Sequence, residues 1–202
     1  MASTASRTRI YTFDDFCTLV NNGKKADLID GVIFMASPDN LEANELNGWL
    51  YRLIADFVEH FELGRVFVSR VACKLDDHNA PEPDIVFISR KRARQPRPGR
   101  IEGPPDLAVE IVSPDSVERD YHEKRQQYES FAVKEYWIID EIRRTATYLQ
   151  RKADGKLHEI KPRLGIYRSK VLRDFWLRTR WLWRETRPKE AHAIAEIMES
   201  IK

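Results

Sequence analysis

The chain has few of the features that mark disulfide-bonded or membrane-spanning proteins. Its 202 residues include only two cysteines, Cys17 and Cys73, so neither a disulfide framework nor a cysteine-based zinc cluster is expected. No apolar run approaches the ~20 residues that a membrane-spanning helix needs. The first residues, Met1 to Ser6, contain no apolar signal core. These absences predict a cytoplasmic protein with no membrane partner.

The chain also lacks a strong excess of charge of either sign. Its 34 Lys and Arg residues nearly balance its 32 Asp and Glu residues, which leaves a formal net charge of +2. That balance excludes a uniformly basic coat for nucleic acid but permits a local basic patch. One segment, residues 90–100, is rich in cations and is predicted to be a mobile loop because Pro and Gly are interspersed. Its cations are Lys91, Arg92, Arg94, Arg97 and Arg100. They fit either a solvated loop or sequence-independent contacts with phosphates.

The order of predicted elements indicates a mixed α/β protein with one central sheet flanked by helices. Thr12 precedes acidic residues and is typical of a helix start, and Asp30-Gly31 between apolar runs predicts a hairpin. A longer helix should then run to about Phe61, with strands and a further helix through about Phe131 following it. The length suits one domain. We predict a flexible N-terminus over residues 1–10, a single domain over 11–184 and a C-terminal helix over 185–202.

Two acidic residues interrupt segments that otherwise read as buried strands. Asp84 opens the apolar run 84–88, and Glu110 lies within the apolar run 105–114. A buried carboxylate is costly unless it is hydrogen-bonded, protonated or bound to a cation. Acids entering adjacent strands could converge on one hard cation such as magnesium. Alternatively, Asp84 caps a loop amide and Glu110 pairs with a structural arginine or lysine.

The helix that follows the Glu110 strand brings a cation towards the same place. Asp120, Lys124 and Tyr128 are spaced four residues apart and therefore share one helix face. The short turn before the helix would fold it back on the sheet, so that Lys124 points at the two carboxylates. A divalent ion, two acids and a lysine can support attack of water on a phosphate. Alternatively, Lys124 forms a salt bridge with Asp120, Tyr128 is a core residue, and Glu82 stabilises its loop.

These motifs together resemble the Uma-two restriction-endonuclease family of the PD-(D/E)XK nuclease superfamily. The resemblance is carried by Pro83-Asp84, residues 110–114, the Asp120/Lys124/Tyr128 spacing and residues 133–140, and it extends from about Tyr11 to Trp183. It implies a restriction-endonuclease-like core that hydrolyses phosphodiester bonds with Mg²⁺, for which Mn²⁺ could substitute.

The resemblance also assigns roles to particular residues. It makes Asp84 and Glu110 the metal ligands and Lys124 the catalytic lysine. Position 112, where the superfamily pattern has lysine, is Val112 in this chain. On the long helix, Glu42 or Glu45 could serve as a further ligand. Glu82, Asp120 and Tyr128 are the other residues that could support the site.

The sequence therefore predicts a magnesium-dependent DNA endonuclease with no small-molecule cofactor. The alternative is a catalytically weak or inactive nucleic-acid-binding or regulatory module on the same fold, because a fold alone does not fix an activity. The last helix carries one apolar stripe, Ile194, Ile197, Met198 and Ile201. The stripe could dock within the chain or pair with a second copy. Because cutting both strands needs two such sites, we expect a homodimer.

Overall fold

The computed structural model describes residues 9–20, 24–38, 40–93 and 99–201. The helices are α1 (Phe13–Leu19), α2 (Leu41–His60), α3 (Arg90–Ala93), α4 (Lys124–Ser130) and α5 (Glu190–Glu199), and a π-helical turn at Arg119–Glu123 leads into α4. The strands are β1 (Ala26–Ile29), β2 (Val32–Met35), β3 (Gly64–Val68), β4 (Cys73–Lys74), β5 (Ile85–Ser89), β6 (Ile101–Glu102), β7 (Leu107–Ile111), β8 (Glu135–Asp140), β9 (Thr145–Arg151), β10 (Leu157–Glu159), β11 (Ile166–Arg168) and β12 (Trp176–Arg178). In the described part of the chain, no helix has both the length and the apolar character that crossing a bilayer requires.

A mixed six-stranded sheet forms the centre of the molecule, as the sequence predicted. Its strand order is β10-β9-β8-β7-β5-β3. β7 and β8 are parallel, whereas the other neighbours are antiparallel. Because side chains alternate along a strand, Leu107 and Val109 pack into the core on the α2 side. Ala108 and Val112 pack against the α4 side. Glu110 shares the parity of Ala108 and therefore faces α4.

Local sequence signals explain how the first elements form. Thr12 caps α1 in a capping box with Asp15, and the side chain of Asn40 accepts a hydrogen bond from the backbone of Ala43 at the start of α2. The apolar stripe of α2, which includes Leu50 and Phe57, is fully buried. The predicted N-terminal helix and the long second helix are both confirmed.

The β1–β2 hairpin is also confirmed and lies over the α4 side of the sheet. Asp30 and Gly31 both have positive φ, 48° and 76°, as a two-residue hairpin turn of this kind requires. Leu28 exchanges backbone hydrogen bonds with Ala80, and its carbonyl accepts a hydrogen bond from Gln127 of α4. These contacts hold β1 between the 78–80 loop and α4.

The last helix docks on its own domain. Ala193 and Ile197 are buried in the main core, and the indole N–H of Trp49 donates to the carbonyl of Pro188 at 3.0 Å. α5 begins at Glu190, two residues after Pro188. Because the apolar stripe is used within the chain, it no longer supports a homodimer, which stays a prediction.

The basic segment at 90–100 differs from the predicted loop in its first residues. Residues 90–93 form the short helix α3, which packs beside β3 and β5. Arg94 and Arg97 lie outside the described residues. So does most of the N-terminus, residues 1–8, that the sequence predicted to be flexible.

Candidate active site

Strand pairing places the two predicted metal ligands side by side. In the antiparallel pair β5–β7, Ile85 lies opposite Val109. The next pair along that register is Asp84 and Glu110, whose side chains therefore project on the same face, with Cβ atoms ~5 Å apart by the usual geometry of such pairs. One oxygen of Asp84, Oδ2, accepts a hydrogen bond from the backbone of Ile111 at 2.8 Å. Asp84 and Glu110 are both buried, with 4% and 1% exposure.

Lys124 lies at the centre of the buried charges. Its Nζ is 3.0 Å from Glu110 Oε1, 2.9 Å from Asp27 Oδ2 and 3.5 Å from Asp120 Oδ1. The hydroxyl of Tyr128 donates to Glu110 Oε1 at 2.9 Å. The structure therefore brings together Asp120, Lys124 and Tyr128 as the helical spacing predicted.

The side chain at position 112 does not take part in this charge cluster. Val112 is buried in the apolar layer beneath α4. The amine that reaches Glu110 comes instead from Lys124 on the helix. A lysine amine therefore lies beside Glu110 although position 112 on the strand side is a valine.

Sequence reasoning missed two residues of the site on the hairpin, and it also missed Arg119 in the turn before α4. Lys25, just before β1, places Nζ 2.5 Å from Asp84 Oδ1. Asp27 pairs with Lys124, and its other oxygen accepts a hydrogen bond from the backbone of Glu82 at 2.9 Å. Asp27 had a usable signal, an acid within an apolar strand, which is the same signal that singled out Glu110. Lys25 had none, since its role depends on where the hairpin docks.

The remaining acids of the cluster hold the hairpin and the helix in place. Glu82 accepts a hydrogen bond from the backbone of Ala26 at 3.2 Å, and burial raises the pKa of Glu82 to about 7. Asp120 accepts a hydrogen bond from Ser116 at 2.5 Å. Arg119 adds a cation, with its Nε 3.4 Å from Asp27 Oδ2.

The charges of this cluster do not cancel. Its five acids are Asp27, Glu82, Asp84, Glu110 and Asp120, and its three cations are Lys25, Arg119 and Lys124. If all were ionised, five negative and three positive charges would leave a net charge of −2. A buried net charge of this size requires either protonation of an acid or a bound cation.

The surroundings of Glu110 and Lys124 shift the pKa values of both groups. Burial raises the pKa of Glu110 to about 8, even though Lys124 acts to lower it. Burial opposes the charge on Lys124, but Asp27, Glu110 and Asp120 together raise its pKa well above the ordinary value. The three carboxylates therefore favour the charged form of Lys124, whereas burial disfavours the charged form of Glu110.

A divalent cation fits the donors at this position. Asp84 and Glu110 offer hard oxygens, and the excess of two negative charges equals the charge of one such ion. Mg²⁺ commonly binds through one or two carboxylates and keeps waters or substrate oxygens as its other ligands. Within the described ranges, no three side chains of His, Cys, Asp or Glu are grouped to hold a metal. An ion here would therefore rely on the carboxylate pair.

A cleft gives access to Asp84, the first residue of the pair. A cavity of about 270 Å³ is lined by Asp84, Ile111 and the side chain of Asn47 from α2. The turn after β7 forms another wall through Ser113 and Asp115. The opening therefore leads from the surface to Asp84, which immediately precedes β5.

Other predicted site residues lie away from the cluster. Glu42 and Glu45 face Arg184, at 3.6 Å and 4.0 Å, and both are about half exposed. The structure does not bring either of them to the carboxylate pair. The expectation of a further ligand on the long helix is therefore not supported at these positions.

The predicted phosphate-binding cations are partly used within the protein. Arg92 donates hydrogen bonds to the carbonyls of Glu102 and Pro104, and Arg100 pairs with the side chain of Glu102 at 2.6 Å. Lys91 is exposed on α3. The segment is thus fixed to the protein at both of its described ends.

Comparison with known proteins places the chain in a family. Residues 11–180 match the family model described as "Uma2: Putative restriction endonuclease". The chain belongs to the Uma2 family. The match covers the hairpin, the carboxylate pair and Lys124.

A solved structure shares the fold of this Uma2 protein. It comes from Anabaena variabilis ATCC 29413 and is described as a putative nuclease belonging to DUF820. The two chains are 19% identical and superpose with a TM-score of 0.71, over 85% of this chain and 97% of the other. A search among curated proteins finds no match. The likeness shows a common fold, and the family description points to nuclease activity.

Proposed function

We propose that this protein is a magnesium-dependent endonuclease that hydrolyses phosphodiester bonds in DNA. The observation that carries the proposal is the pairing of Asp84 with Glu110 across β5 and β7, with Lys124 Nζ 3.0 Å from Glu110. Asp84 and Glu110 would hold Mg²⁺, which Mn²⁺ could replace. The bound ion would supply a more acidic water and would offset charge on the phosphate.

Lys124 has a role that its surroundings define. Since the neighbouring acids raise the pKa of Lys124 well above its ordinary value, its charged form is favoured and it is poorly suited to accept a proton from water. It can hold Glu110 in place and stabilise negative charge that develops on the phosphate. Tyr128 donates to the same oxygen of Glu110, so it fixes the orientation of that carboxylate.

One contact favours the alternative function. Lys25 lies 2.5 Å from Asp84 Oδ1, where its charge competes with a metal ion for that oxygen. If Lys25 holds this position permanently, the protein would be an inactive nucleic-acid-binding module. The two functions therefore differ in whether the ion pair between Lys25 and Asp84 breaks when Mg²⁺ is present.

Cleavage of supercoiled plasmid DNA tests the proposal. Wild-type protein with Mg²⁺ or Mn²⁺ should nick the plasmid, and chelator should stop the reaction. Asp84→Asn and Glu110→Gln should each reduce the rate by at least ~100-fold, since each removes a charged ligand from the ion. Glu59→Gln on exposed α2 surface is the matched control and should cut at the wild-type rate.

Manganese binding followed by calorimetry separates the two functions. Binding by the wild type that is lost in Asp84→Asn supports the nuclease. Absence of both cleavage and manganese binding, with DNA binding retained, would favour the inactive module. Cleavage that persists in Glu110→Gln would reject the assignment of the site.

A further inference from the structure

A second cavity lies beside the candidate active site and is lined by positive charge. It has a volume of about 340 Å³, and its walls include Lys24, Lys25 and Arg70. Ser37, Asn44 and Ser69 add hydroxyl and amide groups. This combination of cations and neutral hydrogen-bonding groups is the one that proteins use to bind phosphate.

The charge in this cavity is unbalanced on its described walls. None of the described residues that line it is an acid. Neither Lys24 nor Arg70 forms an ion pair within the described part of the chain, although exposed cations elsewhere do, for example Arg90 with Glu62. Asp115 belongs to the neighbouring cleft and reaches this cavity only through a hydrogen bond with Ser37. Lys25 is already paired with Asp84, but an anion at Lys24 and Arg70 would meet positive charge that no described carboxylate pairs.

The backbone that carries Arg70 is held in an unusual conformation. Ser69 and Arg70 follow β3 with φ values of 33° and 58°. Non-glycine residues rarely adopt such values unless their surroundings impose them. The backbone N–H of Ser69 donates to the carbonyl of Asp84 at 2.9 Å. The turn that presents Arg70 is therefore fastened to a residue of the candidate active site.

Lys25 connects the cavity with the carboxylate pair. Its side chain lines the cavity, and its Nζ lies 2.5 Å from Asp84 Oδ1. Ser37 and Pro38 line both this cavity and the cleft that leads to Asp84. A group bound in the cavity would thus be separated from the candidate metal ligand by a single lysine.

We infer that this cavity binds a backbone phosphate of a nucleic-acid strand, next to the phosphodiester that the carboxylate pair would cleave. The inference rests on the proposed function for the identity of the neighbouring group. It assigns the chief phosphate contact to Lys24 and Arg70. The Lys91–Arg100 segment, whose described arginines bond within the protein, is not needed for it.

Binding of a short fluorescein-labelled DNA duplex in the presence of chelator tests this inference without relying on catalysis. The pocket variant is Lys24→Ser/Arg70→Ser. The control is Lys152→Ser/Arg163→Ser, which removes the same charges from exposed positions near the opposite edge of the sheet. Fluorescence anisotropy at several salt concentrations gives the affinity and its salt dependence, and urea unfolding verifies that both variants fold.

We expect the pocket variant to bind the duplex about tenfold more weakly or worse. The slope of log affinity against log salt should become shallower by about 2, because two phosphate contacts are lost. The control should bind as the wild type does. Equal losses in the two variants, or no loss in the pocket variant, would overturn the inference.

Two further outcomes separate this inference from the proposed function. Pocket-dependent DNA binding without any Mg²⁺-dependent cleavage would leave the phosphate site standing and reject the nuclease. Normal binding and cleavage by the pocket variant would reject the phosphate site and leave the nuclease standing. Tight binding of inorganic phosphate with no binding of DNA would show that the cavity takes a small free anion, which also contradicts the assignment to a strand.

Discussion

Lys124 is a lysine with almost no exposure to water, and the carboxylates of Asp27, Glu110 and Asp120 surround its amine. A buried ion pair adds little net stability compared with an apolar pair, but removal of one partner leaves uncompensated charge. The stability of this fold should therefore depend on Lys124 as strongly as the proposed chemistry would. A loss of activity on its substitution would be uninterpretable without a stability measurement.

The first prediction is that Lys124→Met lowers the free energy of unfolding by about 3–5 kcal/mol at neutral pH. The double variant Lys124→Met/Asp27→Asn should recover part of that loss, because it also removes one of the negative charges left unpaired by the loss of the amine. Urea unfolding of the single variants and the double variant measures the coupling. Additive effects of the two substitutions would show that Lys124 and Asp27 do not interact as their 2.9 Å separation indicates.

The site residues also show what a sequence can predict at this scale. Asp84, Glu110 and Lys124 were predicted because acids in apolar strands and a four-residue helical spacing are local patterns. Asp27 carried the same local pattern and was overlooked. Lys25 could not be predicted, since its contact with Asp84 joins residues 59 positions apart and depends on the docking of a whole hairpin.

The hairpin is the element that completes the site. Its turn was predictable because Asp30-Gly31 suits positive φ at both positions, whereas its position over α4 was not. Gly31 is also constrained by packing. A Cβ at this position would lie 2.3 Å from a methyl carbon of Ile10. A change at the turn should therefore disturb Lys25 and Asp27 as well as the local backbone.

The second prediction compares two glycines with nearly equal φ. Gly31 has φ 76° and Gly165 has φ 74°, but a Cβ at Gly165 would meet nothing within 4 Å. Gly165→Ala should cost ~1–2 kcal/mol from the left-handed backbone alone. Gly31→Ala should cost ~1–3 kcal/mol more, because it adds a steric clash. Urea unfolding measures both stabilities. Equal losses of stability would mean that Ile10 moves away from the added methyl group at no cost in free energy.

At the scale of the whole molecule, the fold class was predictable and the topology was not. Alternating helices and strands indicated a mixed sheet, and the apolar stripe of α2 indicated its packing. Hydrophobic pattern alone does not specify that β5 pairs with both β3 and β7, or that β7 runs parallel to β8. Those pairings come from long-range packing. They are also what sets Asp84 opposite Glu110.

The C-terminal helix also shows what a hydrophobic pattern cannot predict. Its apolar stripe was correctly identified, but the pattern cannot tell docking within the chain from docking across two copies. In the structure Trp176 donates to Ser200 at 2.7 Å, and Arg178 pairs with Glu196. These contacts join α5 to β12 of the same chain. The helix therefore belongs to the stability of the domain.

The third prediction follows from that docking. Ile197→Ala should lower the free energy of unfolding by about 2–4 kcal/mol, since Ile197 is fully buried on the core-facing side of α5 and its truncation leaves a cavity. Ile142→Ala is the control, because Ile142 is 62% exposed and should change stability by less than ~0.5 kcal/mol. Light scattering should give the same molar mass for wild type and Ile197→Ala. A fall in mass with no loss of stability would instead mean that α5 joins two copies, and it would restore the apolar stripe as the basis of a homodimer.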